Sequence, residues 1–279
     1  LKGIPYADSE LIAKAAKLVD RMSFNIELPS ERSLKLLAPQ KTKESLLEPM
    51  KNLQMIRLSE QANKVKKCER SLPAGQTTQM IVGASPESDG QILRLTQALY
   101  RQMHLKRVYY SSYLPVVQSP LLPTQAAGLL REHRLYQADW LLRFYGFDVD
   151  EIVDENQNLC AEYDPKCAWA LRNMQLFPIE VNTAPLEMLL RVPGIGARGA
   201  YRIMQARKNC LLTYENLEKM RILLKRAKHF ITCNGKFYGD NSFAHVQNLL
   251  QLESAQEETE QLSLFSTPAV AQSALTGEL

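Results

Sequence analysis

No apolar run of 18 residues occurs in this 279-residue chain, and neither terminus has the amphipathic character of a surface anchor, so the sequence argues against a membrane-bound protein. Cysteine is sparse. Its five positions, 68, 160, 167, 210 and 233, form no C-x-x-C pair and no disulfide-like spacing, which points to a reducing cytoplasm and supplies no metal-site pair. The four histidines, His104, His133, His229 and His245, are scattered, and no His, Cys and acid arrangement makes a hydrolase. An initiator methionine and a signal peptide are also missing; the chain opens on Leu1 in a strand-like L-K-G-I-P, the pattern of a piece cut from something longer.

Basic residues are absent from positions 240–279, which carry six acids, Asp240, Glu253, Glu257, Glu258, Glu260 and Glu278. Against a whole-chain charge of +4, this leaves +10 on residues 1–239, a balance that favours a polyanionic partner.

What is present, above all, is the run L-L-R-V-P-G-I-G-A-R-G-A-Y-R-I, Leu189 to Ile203, a Pro-Gly-Ile-Gly turn between two helix-like patterns. Glycines there free the backbone to turn and leave N–H groups uncovered at the start of the next helix, where a phosphate can bind. Ile195 is the expected apolar pin, Gly194 and Gly196 the points of strand approach, and Arg198, Arg202, Arg207 and Lys208 further phosphate contacts. Val181 to Arg207, with N-T-A before the first helix and P-G-I-G at the turn, resembles the helix-hairpin-helix module of DNA-binding and repair proteins. The resemblance implies backbone contact by Val192, Gly194, Ile195, Gly196, Arg198 and Arg202. Tyr214 to Ile231 reads as a degenerate partner hairpin, with M-R-I-L-L-K where glycines would be needed. The alternative is that P-G-I-G is an interhelical turn and nothing more.

Upstream, strand-like segments at Leu1–Pro5, Met22–Leu28, Thr77–Gly83 and Val108–Leu114 alternate with helical patterns at Asp8–Asp20 and Gln91–Met103 and a helix-rich charged region from Ser30 through Lys67. Such alternation predicts βα crossovers and a largely parallel sheet, with polar residues at the strand ends.

The blocks Asn25–Lys43, Thr77–Asp89, Lys106–Pro115 and Leu129–Phe147, in that order, resemble the later barrel half and helical connector of DNA modification or repair proteins of the radical S-adenosylmethionine superfamily, a likeness covering about residues 1–235. It implies an α/β fold: the C-terminal half of a partial (β/α) barrel, then an all-α helix-hairpin-helix domain and a disordered tail. The corresponding boundaries are 1–128 for the barrel, 129–180 for a helical connector, 181–235 for the hairpin domain and 236–279 for the tail. It also implies S-adenosylmethionine and a [4Fe-4S] cluster held by a C-x-x-x-C-x-x-C loop, with a 5′-deoxyadenosyl radical abstracting hydrogen from a nucleic acid. That loop is not in this sequence, so the chain is expected to be inactive alone. Other readings are a DNA-binding adaptor recruited to the sliding clamp, or an RNA-modifying member of the superfamily.

On this resemblance Asn25 and Glu27, on one side of a strand, contact the cofactor, Gln79 and Gly83 flank its adenine, and Lys2 pairs with its carboxylate or with a nucleic-acid backbone. Tyr110 and Tyr113 are the catalytic candidates, able to stack on a base or relay a radical; with Tyr109 they read equally well as strand packing. A polar network at the strand ends, a solvated lysine and a turn after a core strand are the alternatives for the others. Ser30 and Arg32 are possible phosphate contacts. In Arg131–Phe147, Arg131, His133, Arg134 and Arg143 can touch DNA, while Leu135, Trp140, Leu141 and Leu142 read as a packing face. The acids between Asp148 and Glu155 lack the spacing and Gly turn of a calcium loop.

The Gln- and Glu-rich stretch 247–261 predicts a mobile tail. It leads into Q-L-S-L-F, which resembles the clamp-binding pentapeptide of bacterial proteins: Gln261 would orient the segment while Leu262, Leu264 and Phe265 supply apolar contacts. A chance apolar patch or an internal docking segment is the alternative.

Overall fold

The computed structural model describes residues 1–66, 69–240, 242, 244 and 246–251, divided into two compact units. Residues 1–142 and 148–159 make the first; the second comprises 143–147 and the described residues from 160 onward.

In the first unit Asp8 caps α1 (Ser9–Leu18), its carboxylate accepting from the amides of Glu10 and Leu11. The chain then enters β1 (Arg21–Ser23). Ser30 caps α2 (Glu31–Leu37), and a reciprocal Thr42–Ser45 box starts α3 (Lys43–Ala62). The central strand β2 (Gly75–Val82) leads to α4 (Asp89–Met103), which starts at a Ser88–Gln91 box and ends at His104 in the left-handed region. β3 (Arg107–Ser112), α5 (Leu129–Phe144) and α6 (Val149–Ile152) follow, the last two residues of α5 belonging to the second unit.

The strands are parallel in the order β1-β2-β3, with Ser23 opposite Thr77 and Gln79 opposite Tyr109. Met22, Phe24, Met80, Val82, Val108 and Tyr110 are buried, whereas Ser23, Asn25, Gln79, Ile81, Tyr109 and Ser111 are half-buried, the alternation a pleated strand imposes. The segment expected as a strand over Met22–Leu28 leaves the ladder early. The Ile26 amide is taken by Thr78 Oγ1 at 3.1 Å, and Glu27, at φ 67°, turns the chain and returns only as a single bridge to Met80. Leu1–Pro5 likewise contributes only a bridge from Lys2 to Ser23.

These facts correct the expected fold. The half of a partial (β/α) barrel expected here would array the four strand-like segments, Leu1–Pro5 included, side by side with the tilt and shear of a barrel wall. Here three strands form an open sheet, and among the described residues only the Lys2 bridge lies beside its outer strand.

The start of α4 is covered by the segment 154–159. Gly90 N–H donates to Gln157 O at 3.0 Å, Asp89 N–H to Asn158 Oδ1 at 3.0 Å, and the Ser88 hydroxyl to Glu155 O. A Cβ at Gly90 would lie 2.1 Å from Asp154 O, so only glycine admits this strap.

In the second unit Asp164 caps α7 (Pro165–Arg172) and a cis Phe177–Pro178 peptide precedes β4 (Ile179–Glu180). Four short helices come next, α8 (Leu186–Arg191), α9 (Ala197–Ala206), α10 (Tyr214–Lys219) and α11 (Leu224–Ala227), then β5 (Ile231–Cys233) and β6 (Lys236–Phe237). β4 pairs parallel with β5, and β5 turns back on β6 through Asn234-Gly235, both at positive φ as a two-residue hairpin turn requires. The hairpin region is therefore not all-α, a second correction: a three-stranded sheet closes it. Its core joins Val181, Leu189, Val192, Ile195, Ala200, Ile203, Leu212, Leu217, Ala227 and Phe230, all buried.

Candidate nucleic-acid interface

Helix α8 ends at Arg191 with Val192 as its C-cap, and the Ile195 amide bonds back to Val192 O at 3.1 Å, closing the Pro193-Gly194 turn from which α9 departs. Val192 and Ile195 are fully buried, so they pin the hairpin from inside. Gly194 sits at φ +84°, and a Cβ there would lie 2.5 Å from Leu223 O and 3.0 Å from Ala227 N. Leu223 N–H also donates to Gly194 O at 3.2 Å. The glycine is thus required by the partner hairpin α10–α11, which packs directly on the first. Arg221, at φ 57°, makes the tight turn there that Gly194 makes in the first hairpin, and a Cβ at Gly199 would meet Ile222 Cδ1 at 2.6 Å.

Gly196 is different. It is exposed, its φ of −80° is ordinary, and a Cβ would meet only the Tyr145 hydroxyl, at 3.5 Å. As the N-cap of α9 it provides no side-chain acceptor, so the N–H groups of Arg198 and Gly199 stand at a helix start without a capping bond. The Ala197 N–H is partnered: it donates to Tyr145 Oη at 3.2 Å.

Arg198 and Arg202 are exposed beside this opening, with Arg202 Nη1 bonded to Met220 O of the partner hairpin at 3.1 Å. Arg207, expected on phosphate, instead donates to Val181 O and Ala184 O, tying α9 to the segment before α8. Asn182 of the N-T-A signature holds Leu212 in both directions, accepting from its N–H and donating to its O. Between 181 and 239 the sequence carries eleven Lys and Arg against three Glu, so the hairpins hold most of the basic excess. Lys219, Arg221 and Tyr201 are exposed additions that the glycine pattern did not single out.

Lys166 was also missed. From α7 it donates to Ile195 O at 2.6 Å and lies 4.7 Å from the centroid of the Tyr145 ring. Burial of the ammonium outweighs the attraction of Asp164 and Cys167 and pulls its pKa down to about 7.

Three of the expected cofactor residues of the first unit, Asn25, Glu27 and Gln79, are engaged by other side chains of that unit. Asn25 Nδ2 donates to Gln79 Oε1 at 3.4 Å and Gln79 Nε2 to Ser111 Oγ at 2.8 Å, while Glu27 pairs with Lys41 at 3.0 Å. The space beside Gly83 is filled, since a Cβ would fall 2.4 Å from Ala127 Cβ. Lys2 is exposed. Tyr110 lies in the core with its hydroxyl 2.9 Å from Thr96 Oγ1, and burial, then the Asp139 charge, hold its phenol well above the usual range. Tyr113 packs against Leu28, Leu34, Leu46 and Ala84, and its buried hydroxyl has no hydrogen-bond partner among the described residues. Ser30 caps α2 and donates to Glu87. Arg131 is bound to Asp89, Arg134 is buried, and Trp140, expected on the packing face, is exposed. Asp148 and Asp150 pair with Arg101 and Arg94.

Among the described residues no group of three or more His, Cys, Asp or Glu side chains is placed to hold a metal ion, and no helix is long and apolar enough to cross a membrane. The open sheet and the missing donor set overturn the radical S-adenosylmethionine assignment, together with its [4Fe-4S] cluster, its S-adenosylmethionine site and the radical modification chemistry. Gln261, Leu262, Leu264 and Phe265 lie outside the described residues. No family model, curated protein or solved structure matches the chain.

Proposed function

We propose that the second unit binds the DNA backbone through the start of α9, independently of base sequence. The observation that carries this reading is the exposed Gly196 N-cap, with the uncapped amides of Arg198 and Gly199 behind it and the Arg198 and Arg202 side chains beside it. Amides and guanidinium groups converge there on the chemistry of a phosphate, and the helix dipole adds to the attraction. Base edges are not needed for such a contact, so affinity is expected to track salt more than sequence. A cytoplasmic setting with access to DNA fits this partner.

Gly196→Asp separates folding from binding. A carboxylate at this N-cap accepts from the Arg198 or Gly199 amide and strengthens the helix start, yet it places a negative charge where the phosphate would sit. Fluorescence anisotropy with several duplex sequences is expected to show at least a roughly tenfold loss of affinity, while the melting temperature holds or rises. Unchanged affinity in the folded variant defeats the interface.

The Gln261–Phe265 segment supports a companion role, recruitment of the DNA-bound protein to a sliding clamp. The short apolar anchors Leu264 and Phe265 follow a polar, acidic stretch and can enter a pocket without a fold around them.

A further inference from the structure

We propose that Lys166 and Tyr145 form a brace outside the hairpin that positions its phosphate-facing turn, so that DNA affinity falls as the medium passes from mildly acidic to mildly alkaline. The inference rests on the DNA-binding reading and adds positioning residues with a control by protonation.

Two bonds fall on either side of the exposed glycine. Lys166 Nζ fixes the carbonyl of Ile195, the residue before Gly196, at 2.6 Å, and Tyr145 Oη fixes the N–H of Ala197, the residue after it, at 3.2 Å. The two side chains hold each other as well, the ammonium lying 4.7 Å from the centroid of the phenol ring. The orientation of the Gly196 peptide groups is thereby set from α7 and from the segment after α5, neither of which belongs to the hairpin. Tyr145 Oη accepts from Ala197, leaving its own hydrogen available to an oxygen acceptor at the opening.

Charged and titratable groups stand around Lys166 on three elements. On α7 itself stand the Asp164 carboxylate and the Cys167 thiol, from the segment after α5 comes the Tyr145 phenol, and from α11 the Arg226 guanidinium, which engages Asp164 Oδ2 at 3.3 Å. From the hairpin, the Ile195 carbonyl accepts from Lys166. Asp164 is shared with the Lys166 and Cys167 amides through its other oxygen and with Arg226, so it does not neutralise Lys166 alone. Burial has brought the Lys166 ammonium to the edge of ionisation, with a pKa of about 7. Below that value the bond to Ile195 is charge-assisted and the ring contact is cationic; above it, both weaken and one positive charge beside the hairpin is lost.

The test measures duplex affinity by anisotropy at about pH 6 and about pH 8.5, at fixed ionic strength, for wild type, Lys166→Met, Lys166→Arg and Tyr145→Phe, with circular dichroism as the folding check. Wild type is expected to bind roughly three- to fivefold more weakly at the higher pH, the scale of one hydrogen bond changing character. Lys166→Met is expected to bind at both pH values as wild type does at the higher one. Lys166→Arg, whose charge does not titrate, should lose the step and keep the tighter value. Tyr145→Phe should weaken binding at both pH values and retain the step. Histidine ionisation is common to all four proteins and cancels in the comparison. DNA binding without a step in wild type, or a step as large as wild type's in folded Lys166→Met or Lys166→Arg, overturns the brace and leaves the DNA reading intact. Absence of binding by wild type at both pH values overturns the DNA reading and, with it, the brace.

Discussion

The carboxylate of Glu180 gathers four N–H donors, from the Asn182 backbone and side chain, Asn234 and Gly235, at 3.0 to 3.1 Å. Burial pushes this carboxyl upward, but the amides of Gly235, Asn182 and Asn234 and the Asn182 side chain pull harder, and the net pKa lies below the ordinary glutamate value. A depressed folded pKa gives stability that is present above the unfolded value and disappears as pH falls through the folded one. Glu180→Gln is therefore expected to cost about 2 kcal/mol near neutral pH, with the difference from wild type shrinking below about pH 4. Urea unfolding at both pH values checks this, and a difference that stays constant would show that the charge is immaterial. Nothing near Glu180 in the sequence announces the role, because two of its partners are 54 and 55 residues away.

Among the elements, the two hairpins show how unequal neighbouring glycines are. Gly194→Ala puts a side chain at φ +84° and into Leu223 O, and should cost at least about 2 kcal/mol; Gly196→Ala meets only a phenol oxygen at van der Waals distance and should cost under about 1 kcal/mol. Thermal unfolding of the two variants distinguishes these values, and equal melting temperatures would deny that the partner hairpin dictates Gly194. The hairpin was legible because its turn is written locally, in four consecutive residues between apolar helical faces. The short β4–β5–β6 sheet was not read, although Cys233-Asn234-Gly235-Lys236 contains a hairpin-turn dipeptide, because strands of two and three residues leave too little alternation to count. The positions of β2 and β3 were readable from their apolar alternation, but alternation says nothing about how many strands stand beside them; the barrel expectation came from the family resemblance of the blocks, and the open three-stranded sheet overturns it. The Lys166–Tyr145 brace was invisible for a different reason: its members come from separate segments, and neither has a distinctive sequence neighbourhood.

At the level of the whole chain, charge is strongly partitioned. Residues 1–180 carry a net +2, 181–239 a net +8 and 240–279 a net −6. The acidic segment 240–279 cannot itself contribute attraction to DNA, which fits the separate, protein-directed task proposed for Gln261–Phe265. A peptide spanning Glu253–Ala269, titrated against purified bacterial sliding clamp, is expected to bind measurably and to lose most of that binding in a Leu264→Ala/Phe265→Ala version; equal, negligible binding by both would end the recruitment role. The strap over α4 has its own consequence. The junction after a parallel strand is where α/β proteins often seat the phosphate of a free nucleotide. In this chain the Asp154, Glu155 and Gln157 carbonyl oxygens crowd that helix end, so an incoming phosphate would face lone pairs in place of hydrogens. Backbone carbonyl oxygens thus occupy the start of α4 for good while the start of α9 is left without a capping bond, so of these two helix starts only that of α9 still offers amide hydrogens to an anion.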